Sequence, residues 1–221
     1  SPDYNTKSSY NLRLKTIDSD GLSYEKEFTL SVNDINEAAT DISLSELTFD
    51  ENIITRSLIA TLSTIDEDLN DTHTYALVNG NGDTDNTEFT IIDDQLKINS
   101  SPDYDTKSSY NIRLKAIDSG GLSYEKYFTL SVNNLNEVPT NIILSASTFD
   151  ENISAESIVA TLSTTDEDLV DAHAYELVSG DGDNDNSSFS ISNSRLKIDS
   201  SPDYATKSSY NIRLKATDSG G

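Results

Sequence analysis

Cysteine, methionine and tryptophan are all missing from the 221 residues. Without Cys the chain has no disulfide framework and no thiolate metal site, so its stability has to come from elsewhere. Without Met it is expected to be a segment of something longer. Histidine occurs only as His73 and His173, at one equivalent strand position beside Tyr75 and Tyr175. Both are expected at the surface, and neither has the His or Cys company that zinc requires. No apolar run approaches the roughly 20 residues that cross a bilayer, and no signal-peptide pattern stands at Ser1, so this segment is expected not to insert in a membrane. Basic residues are scarce, 15 Lys and Arg against 39 Asp and Glu, for a net charge of −24. That balance argues against nucleic acid or an anionic membrane surface as partner, and for a cation.

What the chain does contain is a repeat. SPDYNTKSSYNLRLKTIDSDG at Ser1, SPDYDTKSSYNIRLKAIDSGG at Ser101 and SPDYATKSSYNIRLKATDSGG ending at Gly221 align with no insertion or deletion. Residue n therefore matches n+100 and n+200, and any motif inside the repeat is inherited by copying. The period divides the chain into the C-terminal part of one repeat (1–37), a complete repeat (38–137) and a repeat lacking its last strand (138–221). Val, Ile, Leu, Tyr and Phe recur throughout every copy, which opposes a disordered acidic chain.

Periodicity is that of strands. Tyr10, Leu12 and Leu14 face one way and Asn11, Arg13 and Lys15 the other, Asp18-Ser19-Asp20-Gly21 reads as a turn, and a second strand follows with Tyr24, Phe28, Leu30 and Val32 inward. Lys26 interrupts that inward set. In the complete repeat, strands are expected at 42–49, 57–64, 74–78, 88–92, 95–99, 109–117 and 123–132. Seven strands at this spacing describe an all-β sandwich, and no 3.6-residue period lasts long enough for a helix. GDTDN (Gly82 to Asn86) and GDNDN (Gly182 to Asn186) read as Asx-turn loops, since calcium β-rolls need such units stacked about every nine residues.

Five motifs in fixed order carry a family resemblance over the whole chain. They are Asp50-Glu51-Asn52, Asp66-x-Asp68, Asp103-Tyr104-Asp105, the strand ending Ala116-Ile117-Asp118-Ser119-Gly120-Gly121, and Asn133-Asn134-Leu135-Asn136-Glu137-Val138-Pro139. Together they resemble the cadherin domain, closest to the tandem cadherin-like repeats of large bacterial surface and adhesin proteins. The resemblance implies tandem seven-stranded Ig-like Greek-key sandwiches. It also implies Ca2+, which takes six to eight oxygens at about 2.3–2.6 Å, more than one of these loops supplies. In the cadherin pattern the ligands converge at each repeat junction. Carried over residue by residue, one junction would use Glu51, Asp103 and Asp105, then Asn134, Asn136 and Glu137, then Asp166, Asp168 and Asp218. The earlier one would use Asp3, Asp34, Asn36 and Glu37, then Asp66, Asp68 and Asp118.

Departures from the family pattern point to fewer or weaker ions. Where the family has Glu this chain has Asn5, Asp105 and Ala205, and Asn134 stands where the other junction has Asp34. Dissociation constants of roughly 10⁻⁴–10⁻³ M, typical of extracellular modules, are expected. Taken alone, Asp66-Glu67-Asp68 is an ordinary solvated turn; the company of Glu51, Asp103, Asp118 and an Asx-rich linker turns it toward calcium. Acidic pairs also occur in glycosidases, but here every pair recurs with the repeat, and no nucleophile elbow or phosphate loop is present. The sequence is therefore expected to be no enzyme. It reads as an extracellular, cell-surface, calcium-stiffened adhesive stalk or filament, whose partners are calcium and other copies of itself or a surface or matrix ligand. The alternatives are a glycan-binding module, for which only Tyr127 offers an outward ring in its strand, and a calcium-independent spacer.

Overall fold

The computed structural model describes residues 1–68, 70–168 and 171–220. The chain divides into two compact units, Ser1–Asn134 and Leu135–Gly221. Strand makes up 43% of the protein and helix 3%, as the alternating pattern predicts.

Unit 1 starts with an antiparallel hairpin of β1 (Ser9–Ile17) and β2 (Ser23–Ser31). The Asp18 carboxylate builds its turn, Oδ1 accepting the N–H groups of Asp20 (3.0 Å) and Leu22 (2.9 Å). Gly21 supplies the positive φ of +87° that the turn requires. The rest of the unit comprises β3 (Asp41–Leu44), β4 (Thr48–Asp50), β5 (Leu58–Ile65), β6 (Thr74–Leu77), β7 (Phe89–Ile92), β8 (Gln95–Ile98), β9 (Ser109–Ile117) and β10 (Ser123–Asn133). They form two four-stranded sheets, ordered β3-β5-β8-β7 and β4-β10-β9-β6. The chain crosses between the sheets at β3/β4, β4/β5, β5/β6, β6/β7 and β8/β9, the connectivity of an Ig-like Greek-key sandwich.

The expected strand 42–49 is two strands. Ser45 stays with the first sheet, its N–H bonding to the Thr61 carbonyl (3.0 Å) and its Oγ accepting from the Thr61 N–H (2.9 Å). Two residues later the Leu47 carbonyl accepts from Ser131 of β10 (2.9 Å), and β4 continues parallel to β10. One segment thereby ties both sheets together at their edge.

Period-two patterning is realised in β9, where Tyr110, Ile112, Leu114 and Ala116 are buried and the residues between them are half-exposed. Phe49, Phe89 and Tyr110 fill the centre, with ring centroids 5.5–6.5 Å apart in largely edge-to-face packing. Lys126 enters the inward set of β10 without an unpaired charge. Its ammonium bonds the Asp41 carboxylate (2.7 Å) and the Ile42 carbonyl (2.9 Å), and so fastens β10 to β3 of the facing sheet.

Burial depends on that second sheet. Leu14 and Leu30 of the hairpin are 58% and 55% exposed, whereas the matching Leu114 and Leu130 are at 0%. Pairing register is shared and the strands differ in sequence only at Leu12/Ile112, Thr16/Ala116 and Glu27/Tyr127; the large difference is the apposed sheet.

Unit 2 contains β11 (Asn141–Leu144), β12 (Ser157–Thr165), β13 (Ala174–Leu177), β14 (Phe189–Ser192), β15 (Arg195–Ile198) and β16 (Leu214–Thr217). Sheet order β11-β12-β15-β14 repeats that of unit 1, and β13 pairs with β16. Phe149, Phe189 and Tyr210 repeat the aromatic trio. Residues 209–213 and 148–150 form no ladder; the residues they match in unit 1 are paired to β10.

Candidate metal centre

Strand β9 separates two groups of acidic residues in unit 1. Nine residues at about 3.3 Å each place Asp118 roughly 30 Å from the 103–105 turn.

At the 103–105 end, Glu51 is 3% exposed, and its Oε2 accepts the Tyr104 N–H (2.7 Å). The Glu51 N–H in turn bonds the Asn133 carbonyl (3.2 Å), so Glu51, the 103–105 turn and the end of β10 are brought together as the motif order implies. Asp103 caps its own turn, accepting from the Thr106 hydroxyl (2.6 Å) and N–H (3.0 Å). These bonds hold its carboxyl below the ordinary range. Asp105 and Asn134 are exposed.

At the other end the linker 34–37 meets the loop after β5 and the turn after β9. The Glu37 N–H bonds Asp68 Oδ2 (2.8 Å), and Asn36 Nδ2 bonds Asp118 Oδ2 (3.1 Å). The Asp68 N–H bonds Asp66 Oδ1 (3.1 Å). Asp118, 6% exposed, also accepts the Leu122 N–H (2.8 Å), which fixes the turn.

The outcome is two trios of carboxylates. Asp34, Glu37 and Asp68 each offer an oxygen, all within 4.8 Å of one another, and Asp66, Asp71 and Asp118 do the same. Burial first, then the neighbouring Asp68 and Asp34, push the Glu37 carboxyl above its ordinary value. Asp66 behaves oppositely. Burial would raise it, but the Asp68 N–H and His73 hold it low.

Asp71 is a ligand candidate outside the sequence-derived set. One oxygen accepts the Ser119 hydroxyl (2.5 Å), while Oδ2 is shielded from solvent and accepts no hydrogen bond among the described residues. A shielded carboxylate oxygen without a donor is costly, and it lies in an all-oxygen group of three acids. That donor set fits a hard cation such as Ca2+. The only signal in the sequence is the spacing of Asp71 five residues after Asp66, which reads equally well as turn composition.

His73 corrects a second expectation. Its side chain is 11% exposed, not superficial, and Nε2 lies 2.8 Å from Asp66 Oδ2. The β6 strand carries the imidazole back over the Asp66 loop, a contact that strand position alone does not reveal. His173 stands likewise 2.7 Å from Asp166. Asp3 is spent on its own turn, accepting from Asn5 N–H (2.9 Å) and the Thr6 hydroxyl (2.6 Å), and belongs to neither trio.

Unit 2 repeats the local wiring. The Glu137 N–H bonds Asp168 Oδ2 (2.8 Å), the Asp168 N–H bonds Asp166 Oδ1 (3.2 Å), and the Gly220 N–H bonds Asp218 Oδ1 (2.8 Å). Asn136 Nδ2 donates to the Glu137 carbonyl (3.2 Å). Asp171 Oδ2, the counterpart of Asp71 Oδ2, is likewise shielded and accepts no hydrogen bond among the described residues. The GDTDN and GDNDN loops serve structure: Gly80 N–H bonds Asp83 Oδ2 (2.8 Å), and Asp85 is buried against Lys107 and the Asn111 N–H.

This sandwich, with acidic groups at both ends of its long strand, has the fold of cadherin extracellular domains. The solved structures of the protocadherin gamma B4 extracellular domain and of protocadherin gamma B7 extracellular cadherin domains 1–4 superpose with TM-scores of 0.70 and 0.68. They are 19% and 20% identical, each match covering 98% of this chain and 35% and 55% of theirs. In sequence the chain is similar to mouse protocadherin Fat 4, at 24% identity over 214 residues. That match covers 94% of this chain but 4% of the relative's length. No protein-family model matches.

Proposed function

We propose that the chain is a calcium-binding, cadherin-like segment of an extracellular adhesion protein. The observation that carries this is the pair of carboxylate trios in unit 1, one of them holding the shielded oxygen of Asp71 that accepts no hydrogen bond among the described residues. Likeness to protocadherins supports the adhesive setting, and the hundred-residue period supports a tandem array; the further reading is that this array stands on a cell surface, like the repeats of bacterial adhesins. The division into a C-terminal part, a complete repeat and a third repeat at 37/38 and 137/138 belongs to the same reading.

In this reading Asp34, Glu37 and Asp68 hold one ion and Asp66, Asp71 and Asp118 another. Calcium supplies the positive charge that offsets the mutual repulsion of these acids. Asn36 positions Asp118, and His73 orients Asp66. The linker 34–37 is thereby fixed to the loop after β5 when the site is filled and released when it is empty. By the repeat, Asn134, Asn136, Glu137, Asp166, Asp168, Asp171 and Asp218 are the residues assigned the same work. Ion binding to the folded form alone adds about 2.7 kcal/mol at a hundredfold excess over Kd. A second copy or a surface ligand is the adhesive partner.

Calorimetric titration with calcium, after exhaustive chelation, tests this. Heat of binding and a rise in melting temperature are expected, both reduced in Asp118→Asn. Absence of heat and of any rise would leave the calcium-independent spacer as the reading.

A further inference from the structure

The loop Val78–Asn86 contains the only two Asn-Gly pairs of the chain, Asn79-Gly80 and Asn81-Gly82. Such pairs are the weak points of a backbone toward deamidation, because glycine offers no side chain to hinder attack by its own amide nitrogen. The fold keeps both glycines. A Cβ at Gly80 would lie 2.8 Å from Arg113 Nε, and one at Gly82 would lie 2.8 Å from the Tyr127 Cβ. Both also have positive φ, +153° and +85°.

The two pairs differ in one respect. The Gly80 N–H is bound to the Asp83 carboxylate at 2.8 Å, so the nitrogen that would attack Asn79 is occupied and faces a negative charge. Among the described residues no hydrogen bond engages the Gly82 N–H. Asn81 is exposed, and its bond to Arg113 uses the backbone carbonyl (3.1 Å), which leaves its side-chain amide unengaged among the described residues.

We propose that Asn81 is a site of spontaneous deamidation, with Asn79 protected by Asp83. The deprotonated Gly82 nitrogen attacks Asn81 Cγ, the bond from Cγ to the side-chain nitrogen breaks, and that nitrogen leaves as ammonia. The resulting succinimide takes up one water. Opening at the side-chain carbonyl gives aspartate, and opening at the backbone carbonyl gives isoaspartate. Water enters, ammonia leaves and nothing is oxidised. The next copy already has Asp181 at the matching position, so the aspartyl product is a residue this loop accommodates. Isoaspartate instead routes the main chain through Cβ and Cγ of residue 81 and turns the carbonyl that Arg113 holds into a free carboxylate, so Arg113 no longer holds the main chain of the loop to β9.

The test is peptide mapping by mass after ageing the folded chain at mildly alkaline pH, with a parallel sample in urea. Conversion at Asn81 is expected to outpace that at Asn79 roughly tenfold in the folded chain, the cost of opening a charge-assisted bond. In urea the two sites should convert at similar rates. Asp83→Ala should bring Asn79 up to the rate of Asn81, and Asn81→Gln should remove most of the new acidic species. Equal conversion at both sites in the folded chain overturns the proposal, as does conversion in urea alone. The wild-type comparison stands even if the Asp83 variant fails to fold.

Discussion

Gly120 is held by space, its backbone lying outside the left-handed region. A Cβ there would fall 2.2 Å from Asn36 Oδ1, in the amide that bonds Asp118. Gly120→Ala is therefore expected to push Asn36 off Asp118 and weaken calcium binding about tenfold, the usual range for residues that orient ligands. Its melting temperature in chelator should change little. Calorimetry checks the first and thermal unfolding the second; equal affinity in the two proteins would remove Asn36 from the site. Asp85 answers to pH instead. Burial raises its carboxyl, but the Lys107 bond and the Asn111 N–H outweigh that and hold it below its ordinary 3.8. A depressed folded value means its stabilisation is present above about 3.8 and is lost as pH falls through the folded value. Asp85→Asn should cost about 1–2 kcal/mol at neutral pH and flatten the acid limb, read from urea midpoints between neutral and acidic pH.

Strand β9 and its twin β1 separate what a strand specifies from what its setting adds. The alternation that made Tyr110, Ile112 and Leu114 legible as a core face is a period of two, and nothing else in the chain competes with it. Where two periods or two partners are possible, legibility ends. The run Ile42 to Phe49 alternates well enough to look like one strand, yet its hydrogen bonds change sheets between Ser45 and Leu47. That switch is decided by β10, about 85 residues away in sequence. Asp71 and His73 were illegible for the same reason, since their partners, Ser119 and Asp66, reach them only once the sandwich closes. The acidic groups around Glu51, Asp68 and Asp118 were legible as groups because each lies at a strand end; calcium there is the proposal. Leu114→Ala should cost about 3 kcal/mol through loss of packing and the cavity left behind. Leu14→Ala, at 58% exposure, should cost under about 1 kcal/mol. Chemical denaturation of both variants measures the difference, and similar costs would mean that β1 is covered in solution.

For the molecule as a whole, a net charge of −24 offers a rival to any specific calcium site, because any cation relieves self-repulsion. Range distinguishes the two. Monovalent salt at 0.15 M screens exposed charges beyond about 8 Å but acts far less on groups packed together, and the trios hold their oxygens within 4.8 Å. Salt added in chelator should therefore raise the melting temperature modestly without protecting the linker at 34–37 from a protease that cleaves after acidic residues. Calcium at millimolar concentration should do both. Asp71→Asn with Asp118→Asn should keep the response to salt and lose most of the added response to calcium, because it removes two of three carboxylates from one trio while altering the total charge by only a small fraction. If salt and calcium protect the linker equally at matched screening, or the double variant responds to calcium as the parent does, the acids at this end of β9 are a solvated surface and the ion belongs to the general atmosphere of the chain.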